Sequence, residues 1–409
     1  MTGTGSILLA WCWRWWSVLA VALAATAVTV YPTYSNWPPI RSDGAGYHIW
    51  TYALLKGDLS FSWYEGNPAE VALHRPDPAV PRYTCKYPPG VALLRLPVMA
   101  CVTDPARNGL PYSPAEHWAC LALGAAALVA TAALGLDACR RVGVPAVWGN
   151  VSVLLLTFGA GVFHHGTYDA SFSHVYSALL AAALVWAAVR AGERNRPLAL
   201  TPVVALVALL LLVRTTNVVL IGGWGLACAA WAGAACGSPG LRLRATGAAA
   251  AGVALGLAVT LAVNHQMFGR LTFHTYPGEE FHWNDPHLLD VLFDADQGLL
   301  TSYPVFAVAL LAPLVARGTR AAALGLAGVL AAYTVLYGYW WSWHLGGGFG
   351  HRGFVEAVPF AVPVLAKALA ALPRRVAIAF TVIGSAATVY TLFQMCHYWG
   401  TREYRTATF

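Results

Sequence analysis

The amino-acid sequence predicts an all-α polytopic membrane protein of about eleven transmembrane helices, with the N-terminus inside and the C-terminus outside. Three observations lead there. Of 409 residues, 58% are hydrophobic and only 11% are charged, less than half of the roughly one quarter usual in soluble domains. The apolar residues form continuous Ala/Leu/Val-rich runs near the ~20 residues that span a bilayer. Basic residues concentrate in alternate short loops between those runs. With a mean hydropathy of +0.57, this excludes a soluble enzyme, a disordered chain and a secreted disulfide scaffold. The runs lack the alternation that a β-barrel needs.

The first run, residues 7–31, is long and Trp-rich, and no small-residue cleavage site precedes Tyr31. It therefore reads as a spanning helix rather than a signal peptide. Further runs follow at 116–136, 146–163, 172–190, 198–213, 216–236, 245–264, 300–316, 319–338, 354–372 and 376–396. Alternate loops between them, with Arg14, collect 13 basic and 2 acidic residues; the other side holds 12 basic and 16 acidic. One face is thus +11 and the other −4, and the basic face is the cytoplasmic one. The whole chain reads as one integral-membrane domain. Residues 88–103 are also apolar, but a crossing there would put every later basic loop outside. With Pro88, Pro89 and Pro97 they read as a re-entrant or interfacial segment.

The outer face then carries the chemistry. All 13 His fall in the outer loops 32–115, 164–173, 265–299 and 339–353 or at outer helix ends. The eight Cys show no CxxC spacing and read as small buried hydrophobes. The net charge of +7 sets topology; no basic stripe interleaved with aromatics indicates a nucleic-acid partner.

Polar groups stand out against so apolar a chain. In Arg41-Ser42-Asp43-Gly44-Ala45-Gly46-Tyr47-His48, Asp43 follows shortly after the first helix and leads into two nearby glycines, placed to act on a membrane-borne substrate; a solvated turn acid is the plain alternative. In Lys86-Tyr87-Pro88-Pro89-Gly90, a cation opens the non-crossing segment and can meet a lipid phosphate, or simply snorkel. His164-His165-Gly166-Thr167-Tyr168-Asp169-Ala170-Ser171-Phe172-Ser173-His174 offers hydrogen-bonding groups to substrate, chiefly Asp169 and His174. It suits metal less well, because its spacing matches no strong signature; helix capping by Asp169, Ser171 and Ser173 is the plain alternative.

Arg214, between two apolar runs with almost no loop, is costly unless it is paired or faces a wet cavity, and it is a candidate for an anionic group. Loop 265–299 mixes Glu279, His282, Trp283 and Asp285 in a manner that suits carbohydrate, with a plain solvated loop as the equal alternative. Finally, Trp340-Trp341-Ser342-Trp343-His344-Leu345 leads into Gly346-Gly347-Gly348-Phe349-Gly350-His351-Arg352-Gly353-Phe354-Val355. A belt of interfacial aromatics explains the first half. The glycines followed by His351 and Arg352 read as an anion site, where backbone N–H groups approach a ligand closely. His344 stands beside it as a substrate contact.

The acid after the first helix, the Tyr-Pro-Pro-Gly segment at 87–90, Ser171-Phe172-Ser173-His174-Val175-Tyr176 and the glycine-rich stretch 346–355 resemble bacterial membrane glycosyltransferases of the GT-C superfamily. They are similar to its protein-mannosyltransferase-like and lipid-A-aminoarabinose-transferase-like branches. The resemblance implies an enzyme of the bacterial inner membrane that takes sugar from a polyprenyl-phosphate donor. It implies transfer to a glycan, lipid or protein acceptor on the extracytoplasmic side, with inversion. Asp43 matches the family's base. Because Gly44 and Ala45 stand where many members carry a second acid, a divalent metal is not indicated and no cofactor is expected. Arg352, His351, Arg214 and Lys86 are then candidates for the donor phosphate, and Tyr87, Asp169, His174, Glu279 and His344 for substrate contacts. A transporter or flippase of a lipid-linked or anionic solute is the alternative, but no internal repeat is visible and the polar residues crowd one face. A lipid phosphatase or ligase with His164 or His174 as nucleophile is a third reading.

Overall fold

The computed structural model describes residues 4–30, 38–75, 82–108, 110–194, 200–222, 239–276 and 278–406. Helices dominate them. In chain order they are α1 (Thr4–Val30), α2 (Asp43–Lys56), α3 (Gly90–Met99), α4 (Pro114–Arg141), α5 (Ala146–Gly159), α6 (Val162–Thr167), α7 (His174–Arg194) and α8 (Leu200–Val213). There follow α9 (Pro239–Phe268), α10 (Leu288–Phe293), α11 (Leu299–Ser302), α12 (Val305–Val315), α13 (Arg320–Gly338), α14 (Val358–Ala371) and α15 (Arg374–Thr406). A two-stranded antiparallel ribbon, β1 (Leu73–His74) and β2 (Thr84–Cys85), pairs Leu73 with Cys85 and delivers the chain to Lys86.

Each expected apolar run is found in helix, although for 216–236 only residues 216–222 are described, with 218–222 in helix. Five described segments are long and apolar enough to cross a membrane: Pro114–Arg141, Leu243–Phe268, Arg320–Gly338, Arg352–Ala371 and Arg374–Trp399. Six further described helical stretches are apolar and 10–17 residues long, among them Gly90–Met99, Ala146–Gly159 and Val305–Val315. Several runs break where local chemistry requires it. Run 146–163 divides at Gly161, which is left-handed at φ 75°, into α5 and α6, so helix continues to Thr167 where a loop was expected. Run 300–316 divides before Pro304 into α11 and α12.

Two helices organise the core. α4 packs on α1, α3, α5, α6, α7 and α14, while α14 packs on α4, α5, α7 and α12. α4 opens with a reciprocal capping box: Ser113 Oγ accepts the Glu116 N–H, and Glu116 accepts the Ser113 N–H at 2.7 Å. The same buried Glu116 also accepts from Tyr52 (2.8 Å) and His48 (3.0 Å), both on α2. That carboxylate pins α2 to α4 and thereby sets where α2 begins.

α3 has ten residues, a length of about 15 Å, half of a bilayer's hydrocarbon thickness. Its N-terminus lies against the end of α8: a Cβ on Gly90 would sit 2.3–2.4 Å from backbone atoms of Leu212 and Val213. Only glycine permits that approach, which brings Lys86 and Tyr87 close to Arg214. Gly90→Ala should therefore push α3 off α8 and cost about 1–3 kcal/mol as overpacking. Thermal denaturation in detergent is the check; an unchanged midpoint would contradict it.

Candidate functional site

A cavity of about 270 Å³ lies where α2, the 86–87 segment, the 172–174 segment, Arg214, loop 276–279 and loop 341–352 converge. Asp43, Lys86, Tyr87, His174, Arg214, Glu279 and Arg352 all line it. These residues are scattered from position 43 to 352, and the fold collects them in one place. Tyr47, Phe172, Ser173, Tyr276, Trp341, Ser342, Leu345 and Gly346 complete the wall.

Asp43 is the first residue of α2, and Arg352 opens the 3₁₀ turn Arg352–Ala357 that leads into α14. Their side chains form an ion pair at 2.8 Å, with exposures of 24% and 15%. Burial by itself would raise the Asp43 pKa; the Arg352 guanidinium, a hydrogen bond from Tyr87, and the charges of Lys86 and Arg214 outweigh it and hold the carboxyl below its ordinary value. Tyr87 in turn is pushed well above the usual phenol range by burial and by the Asp43 charge, so its hydroxyl remains a proton donor.

The other two cations are paired as well. Lys86 Nζ lies 2.6 Å from Glu279 Oε1 and within 5.1–5.5 Å of the Tyr276 and Tyr87 ring centroids. Trp341 Nε1–H donates to the second Glu279 oxygen at 3.1 Å. Arg214 stands 3.5 Å from buried Glu356, and its Nη1 lies 3.0 Å from both ring nitrogens of His174, whose Nδ1 is hydrogen-bonded to Glu356 at 2.9 Å. The wall thus carries three cations and two carboxylates, with a third carboxylate behind Arg214. Such an arrangement can take up an anionic group with preset cations and present a carboxylate to a hydroxyl beside it.

Three residues singled out in the sequence lie elsewhere. His351 is fully buried, with its ring against Tyr337 and Phe354. Burial lowers its pKa to about 3, so it brings no charge to an anion. His344 accepts the Gly346 N–H at Nδ1 (3.0 Å) and shapes the glycine loop rather than the cavity wall. Asp169 is buried and ion-paired to Arg41 (3.1 Å) and His164 (2.9 Å).

His164, His165 and Asp169 could in principle converge on a metal ion. Trp399 Nε1–H, however, donates to His164 Nδ1 at 2.8 Å. The ring proton is then on Nε2, facing Asp169, and that nitrogen has no lone pair for a metal in this arrangement. Tyr47, Tyr276 and Trp341 were not singled out as site residues. Aromatics are so frequent here, at 12%, that their types alone carried no signal. Glu116 could have been noticed through its Ser-Pro-Ala-Glu capping sequence at 113–116.

The architecture is of the GT-C fold type. Two solved structures show the likeness. ArnT from Cupriavidus metallidurans, bound to undecaprenyl phosphate, aligns at TM-score 0.54 and 16% identity, over 94% of this chain and 63% of that one. The Archaeoglobus fulgidus oligosaccharyltransferase in its apo form aligns at TM-score 0.54 and 12% identity, over 95% of this chain and 56% of that one. The chain thus spans less than two thirds of either protein. No family model and no curated protein sequence matches it.

The depressed Asp43 pKa has a consequence for stability. A carboxyl whose folded pKa lies below its unfolded one contributes stability above the unfolded value, and loses it as pH falls through the folded value. Asp43→Asn should therefore be less stable than wild type at neutral pH, by about 1–3 kcal/mol for a lost charge-assisted contact. The gap should close on acidification below the ordinary carboxylate range, around pH 4. Parallel melts of both proteins across pH test this; a pH-independent gap would exclude it.

Proposed function

We propose that this protein is an inverting glycosyltransferase that moves a sugar from a polyprenyl-phosphate donor to an acceptor hydroxyl, on the extracytoplasmic side of a bacterial inner membrane. The observation that carries the reading is the convergence of Arg352, Arg214 and Lys86 with the carboxylate of Asp43 on one cavity. The GT-C fold supports it, as does the binding of undecaprenyl phosphate by the structurally similar ArnT.

In this reading the donor phosphate enters the cavity and competes for Arg352 and Lys86, which hold Asp43 and Glu279 at rest. Once Arg352 turns to the phosphate, Asp43 becomes available as a base and its proton affinity rises, because the nearest positive charge is now shared. The acceptor oxygen attacks the anomeric carbon from the face opposite the phosphate. The new C–O bond forms as the bond to the phosphate oxygen breaks, and the acceptor's proton passes to Asp43. Polyprenyl phosphate departs with the electron pair, and the arginines and lysine stabilise the negative charge growing on it. Displacement through an oxocarbenium-like transition state inverts the anomeric centre. Proton transfer late in this attack suits a weakly basic carboxylate, since the hydroxyl grows acidic as its oxygen bonds to carbon.

The decisive experiment uses purified protein in lipid with labelled polyprenyl-phosphate sugars. Asp43→Asn should lower transfer by about 10²- to 10⁴-fold, with undecaprenyl phosphate binding retained. Arg352→Ala or Lys86→Ala should lower the rate by about 10²- to 10³-fold and weaken that binding. Near-wild-type transfer by Asp43→Asn removes it as the base. Unchanged binding in both cation variants removes the phosphate site.

A further inference from the structure

The loop between α6 and α7 contributes more than a wall to the cavity. A continuous chain of hydrogen bonds runs through it, from the last long helix to the segment that carries Asp43. Trp399 on α15 donates its indole N–H to His164 Nδ1 at 2.8 Å. That bond leaves the His164 proton on Nε2, which lies 2.9 Å from Asp169 Oδ2. The other carboxylate oxygen, Asp169 Oδ1, accepts from Arg41 Nη2 at 3.1 Å. His164 is fully buried, Asp169 is 2% exposed and Trp399 3%; Arg41, at the outer end of the chain of bonds, is 18% exposed.

Arg41 is two residues before Asp43, and its carbonyl accepts the Ala45 N–H at 3.2 Å in the first turn of α2. Between them Ser42 sits at φ 48°, a conformation that an L-residue rarely adopts. Such a backbone persists only when its surroundings hold it. A second contact does the same from the other side. At Gly44 a Cβ would lie 1.8 Å from Ser171 Oγ, so the start of α2 rests directly on the 169–173 loop. Arg95 of α3, itself buried, fastens that loop by donating to the carbonyls of Ala170 (3.0 Å) and Ser171 (2.5 Å).

We infer that Trp399, His164, Asp169 and Arg41 form a positioning relay that fixes the backbone before Asp43 and so sets where its carboxylate points in the cavity. The relay rests on the glycosyltransfer reading for what Asp43 does, but not for how Asp43 is held. Asp169 is accordingly a positioning residue that does not touch substrate. The order of the groups explains their types. An indole can only donate, so it selects one tautomer of the imidazole. That tautomer donates to the carboxylate, whose remaining oxygen is free for a guanidinium. Reversing any member breaks the direction of donation along the chain.

The test needs variants that keep bulk. Trp399→Phe removes the indole N–H and leaves an aromatic ring against Tyr168, on which Trp399 stacks. Asp169→Asn removes the charge at constant size. In both, kcat should fall about tenfold or more, as expected for a misplaced reacting group, while the donor KM stays at the wild-type value. Arg41→Lys should keep more activity than Arg41→Gln, because an ammonium can still meet Asp169. Amide hydrogen exchange gives a readout independent of turnover: residues 43–48 should exchange faster in both variants, with α13 unchanged. A raised donor KM at constant kcat in Asp169→Asn would overturn the proposal by making Asp169 a substrate contact. Wild-type exchange at 43–48 in Trp399→Phe would overturn it as well, and that variant carries the test if Asp169→Asn does not fold. If exchange accelerates as expected but wild-type protein transfers no sugar, the relay stands and the glycosyltransfer reading fails.

Discussion

The ion pair between Asp43 and Arg352 is the constraint that the rest of the structure serves. It joins the start of α2 to the turn that leads into α14, so it closes only when the intervening helices are packed. Two charges this poorly exposed must recover their desolvation cost through good geometry and further partners. The fold provides both. Glu116 anchors α2 through His48 and Tyr52, loop 169–173 supports the start of α2 at Gly44, and Phe172 lies beneath the Arg352 guanidinium at 5.4 Å. The glycine stretch 346–350 allows the chain to turn sharply into Arg352, with Gly346 and Gly350 both at positive φ.

The same logic extends to the other cations. Gly90 lets α3 close on α8, and that contact brings Lys86 into one cavity with Arg214. Arg214 is reached in turn from α7 and the turn before α14, through His174 and Glu356. Packing that looks purely apolar in α3, α7 and α8 therefore determines distances between charges at their ends. Function and core are coupled through helix termini, where the backbone leaves the apolar region and the side chains can meet.

Much of this was legible in the sequence, for a physical reason. In a chain with so few charges, a polar group beside an apolar run is expensive unless it is used, and that singled out Asp43, Lys86 and Arg214; Arg352 stood out through the glycines before it and Glu279 through its mixed polar and aromatic loop. Helices were legible through continuous hydrophobicity, and their breaks fell at Gly161 and Pro304. What the sequence could not convey was direction. His351 and Arg352 are adjacent, yet one ring turns into the aromatic core while the other side chain reaches the cavity. Asp169 and His174 lie in one short segment; His174 lines the cavity and Asp169 points toward Arg41 and His164. Glu116 sat within a readable capping signal, but its partners on α2 are far away in sequence, and nothing local reveals them.

That each cavity cation has a carboxylate companion has one further implication. Lys86, Arg214 and Arg352 do not wait as bare positive charges; each already faces a carboxyl group within 2.6–3.5 Å. Under the proposed reading, a small dissolved anion such as sulfate or chloride has to part these couples and gains nothing else in return. A lipid-linked phosphate gains the same contacts together with a tail and a sugar that add their own binding. On that reading the site is insulated from dissolved salts and responds to a ligand large enough to engage several of its walls at once.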